Sequence, residues 1–271
     1  MSPAPASKAG PRKPAGVWLE DLAWPEAAKR FKAGAVVVVP VGGRAKEHGP
    51  HLPLATDYLL ARELGRRIAA ALPVVVAPVI DFGYYPAFAR YPGSQHLRAE
   101  TFIALVGDLL GNLIDQGARR IAVINTGVST EAPLRIAVRD LYGARRVRVA
   151  VADLRLLGHA SAWLMRQKTG GHGDEHETSM LLAIAPGAVR MEKARTDYGH
   201  ALGAPQTVFY LPTIFDGDPR SGPDYSATGV RGDPTLASAA KGEAILAEMA
   251  RELIEGLRAL HPGAFGRRAR R

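Results

Sequence analysis

The chain has 271 residues, 47% of them hydrophobic, and a formal charge of +9. That length can bury one sizeable core and points to a single α/β domain with extra loops. No apolar run reaches the roughly 20 residues of a membrane helix, and the absence of cysteine removes disulfides, thiolate metal sites and a cysteine nucleophile together.

The first fifteen residues, rich in Pro, Ala, Ser and Lys, lack the apolar segment of a secretory signal and read as a disordered lead-in, residues 1–15. This and the missing cysteines fit a cytoplasmic protein. Lys8, Arg12 and Lys13 here, with Arg267, Arg268, Arg270 and Arg271 in a basic tail over residues 263–271, carry seven of the nine net charges. The body, residues 16–262, is therefore nearly neutral and lacks the basic face of a specific nucleic-acid-binding domain.

Within that body, Ala35 to Val41 is a buried-strand pattern closed by Gly42-Gly43. The loop that follows holds Lys46, Glu47, His48, His51 and Asp57 before a helical stretch from Asp57 to Ala71. A second strand, Val74 to Ile80, runs into the aromatic loop Phe82 to Tyr91. Phe102, Val106, Leu109, Leu110, Leu113 and Ile114 recur at helix spacing. Strands follow at Arg120 to Asn125 and Val147 to Ala152. The third strand ends in Asn125-Thr126-Gly127-Val128-Ser129-Thr130, a poor phosphate loop in which Ser129 or Thr130 is expected to cap a helix. His172 to Ser179 is a second polar cluster, Pro186 to Pro234 is irregular and expected near the active site or a subunit contact, and Leu236 to Leu260 is an amphipathic helix. Strands alternating with helices imply a mostly parallel sheet covered on both faces, whose ligands collect beyond the carboxyl ends of the strands.

Imidazole and carboxylate together are the usual ligands of zinc, manganese or iron. His48, His51 and Asp57 alone compete evenly with a pair of hydrogen-bonded loop histidines; the second cluster, His172-Gly173-Asp174-Glu175-His176-Glu177, tips the reading to metal. Asp174 and Glu175 are expected to be acids at an exposed helix start, complementing its dipole.

Pro40-Val41-Gly42, His48-Gly49-Pro50-His51-Leu52-Pro53-Leu54-Ala55-Thr56-Asp57, Tyr91-Pro92-Gly93-Ser94, Glu177-Thr178-Ser179 and Gly229-Val230-Arg231-Gly232-Asp233-Pro234-Thr235 together resemble the creatininase (creatinine amidohydrolase) family across nearly the whole chain. The resemblance implies a three-layer α/β/α sandwich with a mostly parallel central sheet, a homo-oligomer that is often a hexamer, and hydrolysis of a C–N bond in an amide, formamide or lactam of a small metabolite by metal-activated water. It assigns His48, Asp57 and Glu177 as metal ligands, with Glu47 and His176 as further candidates, and His172 as the group that carries a proton to the leaving nitrogen.

The family pattern is not complete. Where members carry Glu-x-His-Gly-x-His this chain has Lys46 in place of the Glu, and where they carry Asn-Gly-His it has Gly127 in place of the His, with Ser129 at the position of a further Glu. These losses fall largely on one of two metals. The expectation is one zinc, manganese or iron ion per chain, with the Lys46 ammonium beside Asp57 in place of the other; a chain with no metal, using Lys46-assisted chemistry or acting as a binding subunit, is the alternative. Tyr84, Tyr85 and Ser129 are candidate substrate contacts, and Pro86, at a position where the family has a polar contact, argues against creatinine itself.

Overall fold

The computed structural model describes residues 15–199 and 214–265. Five parallel strands form the sheet: β1 (Val17–Trp18), β2 (Val36–Val41), β3 (Val75–Val76), β4 (Arg120–Asn125) and β5 (Val149–Asp153), in the spatial order β1-β3-β2-β4-β5. The helices are α1 (Trp24–Lys32), α2 (Thr56–Ala71), α3 (Ala99–Asp115), α4 (Glu131–Arg145), α5 (Glu175–Ile184) and α6 (Ala239–Leu260). β2 is central because it is apolar on both faces, and its side chains alternate between two cores. Val37, Val39 and Val41 pack with Phe31 of α1, Phe102 and Leu110 of α3 and Leu134 of α4. Val36 and Val38 pack with Leu60 and Leu64 of α2, Met180 of α5 and Ile245 and Met249 of α6. The result is the expected α/β/α sandwich.

The chain leaves β2 towards β3 on one side, while β4 continues to β5 on the other. The carboxyl ends of β2 and β4, paired in register from Val36↔Arg120 to Val41↔Asn125, thus flank the crevice where an open parallel sheet binds ligands. Gly42 is required there. A Cβ on it would collide with the Asp57 carbonyl oxygen and lie 2.6 Å from Thr126 Oγ1, so only glycine lets the start of α2 close over the strand end.

Several expected elements differ. The second strand pairs only at Val75–Val76, with one bridge from Ile80 to Val41, because Pro78 interrupts the run. β1 and α1 had no expected counterpart; α1 buries only Phe31, and α4, the helix expected after Ser129 and Thr130, supplies the crossover that two neighbouring parallel strands require. α4 has no side-chain cap, correcting the role expected of Ser129 or Thr130. Thr130 Oγ1 instead donates to the Tyr84 carbonyl at 3.4 Å. The lead-in before residue 15 and the tail beyond residue 265 lie outside the described residues, while Ala264 and Phe265 pack against the α6 core.

Glu175 is also corrected. It is fully buried, not an exposed acid at a helix start: its carboxylate accepts from the backbone N–H groups of Arg166 and Gln167 at 2.7 and 2.8 Å and pairs with Lys241 of α6. The pair ties the segment before the second polar cluster to the helical layer.

Candidate metal centre and active site

Three chain segments bring polar side chains to the crevice. The loop after β2 supplies Lys46, Glu47 and His48, with the Lys46 N–H bonded to the Leu54 carbonyl at 3.0 Å and the Glu47 N–H to Ser94 Oγ at 3.0 Å. α2 supplies Asp57 in its first turn. The start of α5 supplies Glu177, next to His172. Asp174 caps α5 by accepting from the N–H groups of His176 and Glu177 at 2.9 and 3.0 Å, and Glu177 reaches back to accept from the Gly173 N–H at 2.6 Å. This reciprocal arrangement is legible as Asp-x-x-Glu, and it turns one Glu177 oxygen toward the site.

Lys46 Nζ donates to Asp57 Oδ2 at 2.9 Å, with both side chains at most 5% exposed. The other Asp57 oxygen, Oδ1, lies 2.9 Å from His48 Nε2. His48 Nδ1 faces the Lys46 carbonyl at 2.9 Å, so both ring nitrogens are directed at acceptors. At 2.9 Å the Nε2–Oδ1 contact is a hydrogen bond when Nε2 carries a hydrogen, and that hydrogen is the one a metal ion would replace. Burial alone would raise the Asp57 carboxyl, but the ammonium of Lys46 and the imidazole of His48 outweigh it and hold the group well below the usual carboxylate range.

His172 stands across from His48, ring centroids 4.6 Å apart. Its Nε2 lies 2.8 Å from the Glu47 carbonyl and 3.1 Å from Glu47 Oε2. Both are acceptors, so Nε2 carries a hydrogen and Nδ1 is left facing Glu177 Oε2 at 3.9 Å. Burial would raise Glu47, yet the contact with His172 holds it below its ordinary value. Glu177 has no such relief: burial pushes it up to about 7 despite His172 and Lys46 nearby. His48, His172 and Glu177 each offer one donor atom, all buried and all within 4.8 Å of one another. Two imidazole nitrogens and the Glu177 carboxylate, whose charge burial disfavours, fit a divalent ion of the zinc, manganese or iron type; Asp57, expected as a ligand, lies outside this group.

The Glu177 shift has a measurable consequence. The folded state keeps this proton up to about pH 7, whereas the unfolded chain releases it near 4.5, so between those values the unfolded state binds fewer protons and stability falls as pH rises. For chelator-treated protein the loss should be on the order of 3 kcal/mol by about pH 8, and Glu177→Gln should flatten it. Urea unfolding at about pH 5 and about pH 8 with identical slopes of stability against pH for both proteins would refute the assignment.

The remaining sequence candidates are placed differently. His176 is half-buried and outside the metal-ligating cluster. Tyr85 is buried and its hydroxyl donates to the Gln95 carbonyl at 2.5 Å, which braces the aromatic loop. Tyr84 is half-buried, 6.4 Å from the His96 ring. Ser129 lies half-buried in a 3-10 turn after β4. His51 turns away to Thr178 Oγ1 at 2.8 Å, and burial lowers it to about 4, so it is neutral. A Cβ on Gly127 would sit 3.4 Å from Asp57 Oδ2, which places position 127 at the edge of the site.

An aromatic wall completes the centre. Phe88 packs at a tilt against His172 at 4.1 Å and stacks on Phe215 at 4.8 Å between centroids, and Lys46 Nζ lies 5.1 Å from the Phe88 ring centre. The aromatic loop signalled Phe88; nothing in the sequence signalled Phe215, which comes from the irregular segment. That segment also reaches the site through Arg231, whose backbone pairs with that of His172.

Comparison with known proteins gives a consistent picture. The family model described as creatinine amidohydrolase matches residues 20–257. A mycofactocin precursor peptide peptidase of Mycobacterium tuberculosis is 33% identical over 226 residues, 79% of this chain and 80% of that protein. A creatinine amidohydrolase of Pseudomonas putida is 27% identical, covering 91% of this chain and 98% of its own. Among solved structures, a manganese creatininase and a mutant creatininase of the Zn-Zn type superpose with TM-scores of 0.76 and 0.77 at 25% identity, covering 91% and 93% of this chain and 99% and 100% of theirs. No helix among the described residues is long and apolar enough to cross a membrane.

Proposed function

Because the chain belongs to the creatininase family and is a hydrolase of that family, we propose that it cleaves a C–N bond of an amide, formamide, lactam or short peptide, using one divalent ion held by His48, Asp57 and Glu177. The observation that carries this reading is the buried group of His48, His172 and Glu177, whose donor atoms all lie within 4.8 Å of one another, with Asp57 Oδ1 2.9 Å from His48 Nε2 and a Glu177 carboxylate whose ordinary charge burial opposes. A bound ion there would polarise the scissile carbonyl and acidify a water so that it attacks near neutral pH.

The chain's own residues do the rest. Lys46 neutralises one oxygen of Asp57, so a single ion meets a site whose charge is already partly balanced. His172, its Nε2–H fixed on Glu47, presents Nδ1 as the atom that accepts the proton released by water and passes it to the departing nitrogen. Phe88 and Phe215 cover the imidazole and exclude bulk water. The products are a carboxylic acid and an amine.

Elemental analysis tests the reading. As-purified protein should retain close to one equivalent of zinc, manganese or iron per chain, and His48→Ala should bring it below a tenth. Stoichiometric metal in His48→Ala, or two tightly held equivalents in the native sequence, would overturn it.

A further inference from the structure

Arg231 is a cation beside the reaction centre that the proposed chemistry does not use. Its backbone exchanges both hydrogen bonds with His172, N–H to carbonyl at 2.7 and 3.2 Å. Residues directly opposed in such an antiparallel bridge project their side chains to the same face. The contacts agree: the guanidinium lies 4.7 Å from the Phe215 ring centre, and the His172 imidazole is near the same ring at 5.6 Å. The guanidinium and the imidazole of the proton carrier therefore both lie against the Phe215 ring.

That guanidinium has donors to spare. Arg231 Nε is buried with no hydrogen-bond partner, and among the described residues the group makes no ion pair. The nearby acid, Asp197, whose backbone pairs with Gly232, is already engaged: Oδ2 accepts from Ser226 Oγ at 3.0 Å and Thr228 Oγ1 at 2.7 Å, and Oδ1 from the Gly199 N–H at 2.9 Å. A buried donor left unpaired carries an uncompensated desolvation cost. Nε–H with one Nη–H forms the fork that matches the two oxygens of a carboxylate, and the Phe215 ring 4.7 Å away holds the guanidinium by a cation–π contact.

From this geometry we infer that Arg231 is a specificity residue: it binds a carboxylate on the substrate, near the bond cut beside His172. The substrate class becomes amides, formamides, lactams or peptides bearing a free carboxylate near the scissile C–N bond. A single fork matches a carboxylate better than a phosphate dianion, which would leave charge unbalanced. This assignment rests on the hydrolase reading above for the identity of the bond, but the binding preference is measurable without turnover.

The test uses zinc- or manganese-loaded protein and three matched pairs: pyroglutamate and pyroglutamide, N-formylglycine and N-formylglycinamide, alanyl-alanine and alanyl-alaninamide. Steady-state kinetics and calorimetric Kd values are taken on each. The acid of a processed pair should exceed its carboxamide at least tenfold in kcat/KM, with the difference in KM. Arg231→Gln should remove that preference by weakening the acid while leaving the carboxamide within twofold, and Arg231→Lys should restore part of it. Turnover with no acid preference in the native protein, or an equal loss on both members in Arg231→Gln, overturns the role of Arg231 alone. Tighter binding of the acids, lost in Arg231→Gln, without hydrolysis of any pair upholds Arg231 and overturns the hydrolase reading for these classes. Neither preference nor turnover overturns both. The native protein's own acid-to-amide ratio decides even if the variants do not fold.

Discussion

Lys46→Met is expected to destabilise the folded protein by roughly 3–5 kcal/mol, the range seen when one partner of a buried ion pair is removed, and to lower hydrolysis at least a hundredfold. Methionine keeps the length and apolar stem that pass beneath Phe88, so the change isolates the ammonium. What remains is Asp57, 1% exposed, with one oxygen on His48 and the other, Oδ2, stripped of its cation. Glu177 stands in the same crevice, already raised to about 7 by burial, with the Asp57 charge pushing it further the same way. Adding Asp57→Asn should recover most of the stability of Lys46→Met and none of the activity, because the amide removes the uncompensated charge without restoring a ligand. Urea unfolding of the single and double variants measures this; a Lys46→Met protein within about 1 kcal/mol of the native sequence, with full turnover, would make Lys46 an ordinary loop residue. The same logic covers the second metal of the family pattern. Lys46→Glu alone should bind no additional ion, whereas Lys46→Glu with Gly127→His should, since a Cβ at position 127 falls 3.4 Å from Asp57 Oδ2 and its tightest contact, the Thr130 hydroxyl at 2.9 Å, is the end of a rotatable side chain.

His172→Ala should reduce kcat by roughly 10²- to 10⁴-fold, the usual contribution of a positioned acid or base, while leaving about one equivalent of metal per chain. This outcome separates two roles that the geometry brings close together. His172 lies in the compact donor group with His48 and Glu177, yet its Nε2 is committed to two Glu47 oxygens, and only Nδ1 faces inward. A ligand and a proton carrier both need that nitrogen free. Loss of the metal in His172→Ala, measured by elemental analysis on protein still folded by circular dichroism, would move His172 into the ligand set and leave the leaving-group proton without a carrier. Retained metal with a lost basic or acidic limb in the kcat profile supports the proton role.

Among residues that chemistry touches, the sequence by itself determined those whose signal is local. Apolar runs of Val, Ile and Ala announced β2 and β4, and the parallel sheet followed from their alternation with helices. The acid-rich run Asp174 to Glu177 announced a helix start, and the loop after β2 announced that His48 and Asp57 would gather at a strand end. Even the substitution at Lys46 was legible, because a cation at the foot of a carboxylate cluster has few other places to put its charge.

Other features depended on contacts distant along the chain, which periodicity does not carry. β1 is two residues long, and α1 buries one residue, so neither produces a pattern above background; each exists because the sheet edge and one core face must be covered. Glu175 reads as an exposed helix-start acid until Lys241, 66 residues away, is brought against it. Phe215 and Arg231 lie in a segment without repeat or propensity, and they reach His172 only through the bridge that joins residues 172 and 231. Which oxygen of Asp57 takes the ammonium and which faces His48 is likewise decided by tertiary packing: the loop after β2 and the first turn of α2 are held at fixed separation by Gly42, where the approach of the two backbones leaves no room for a side chain.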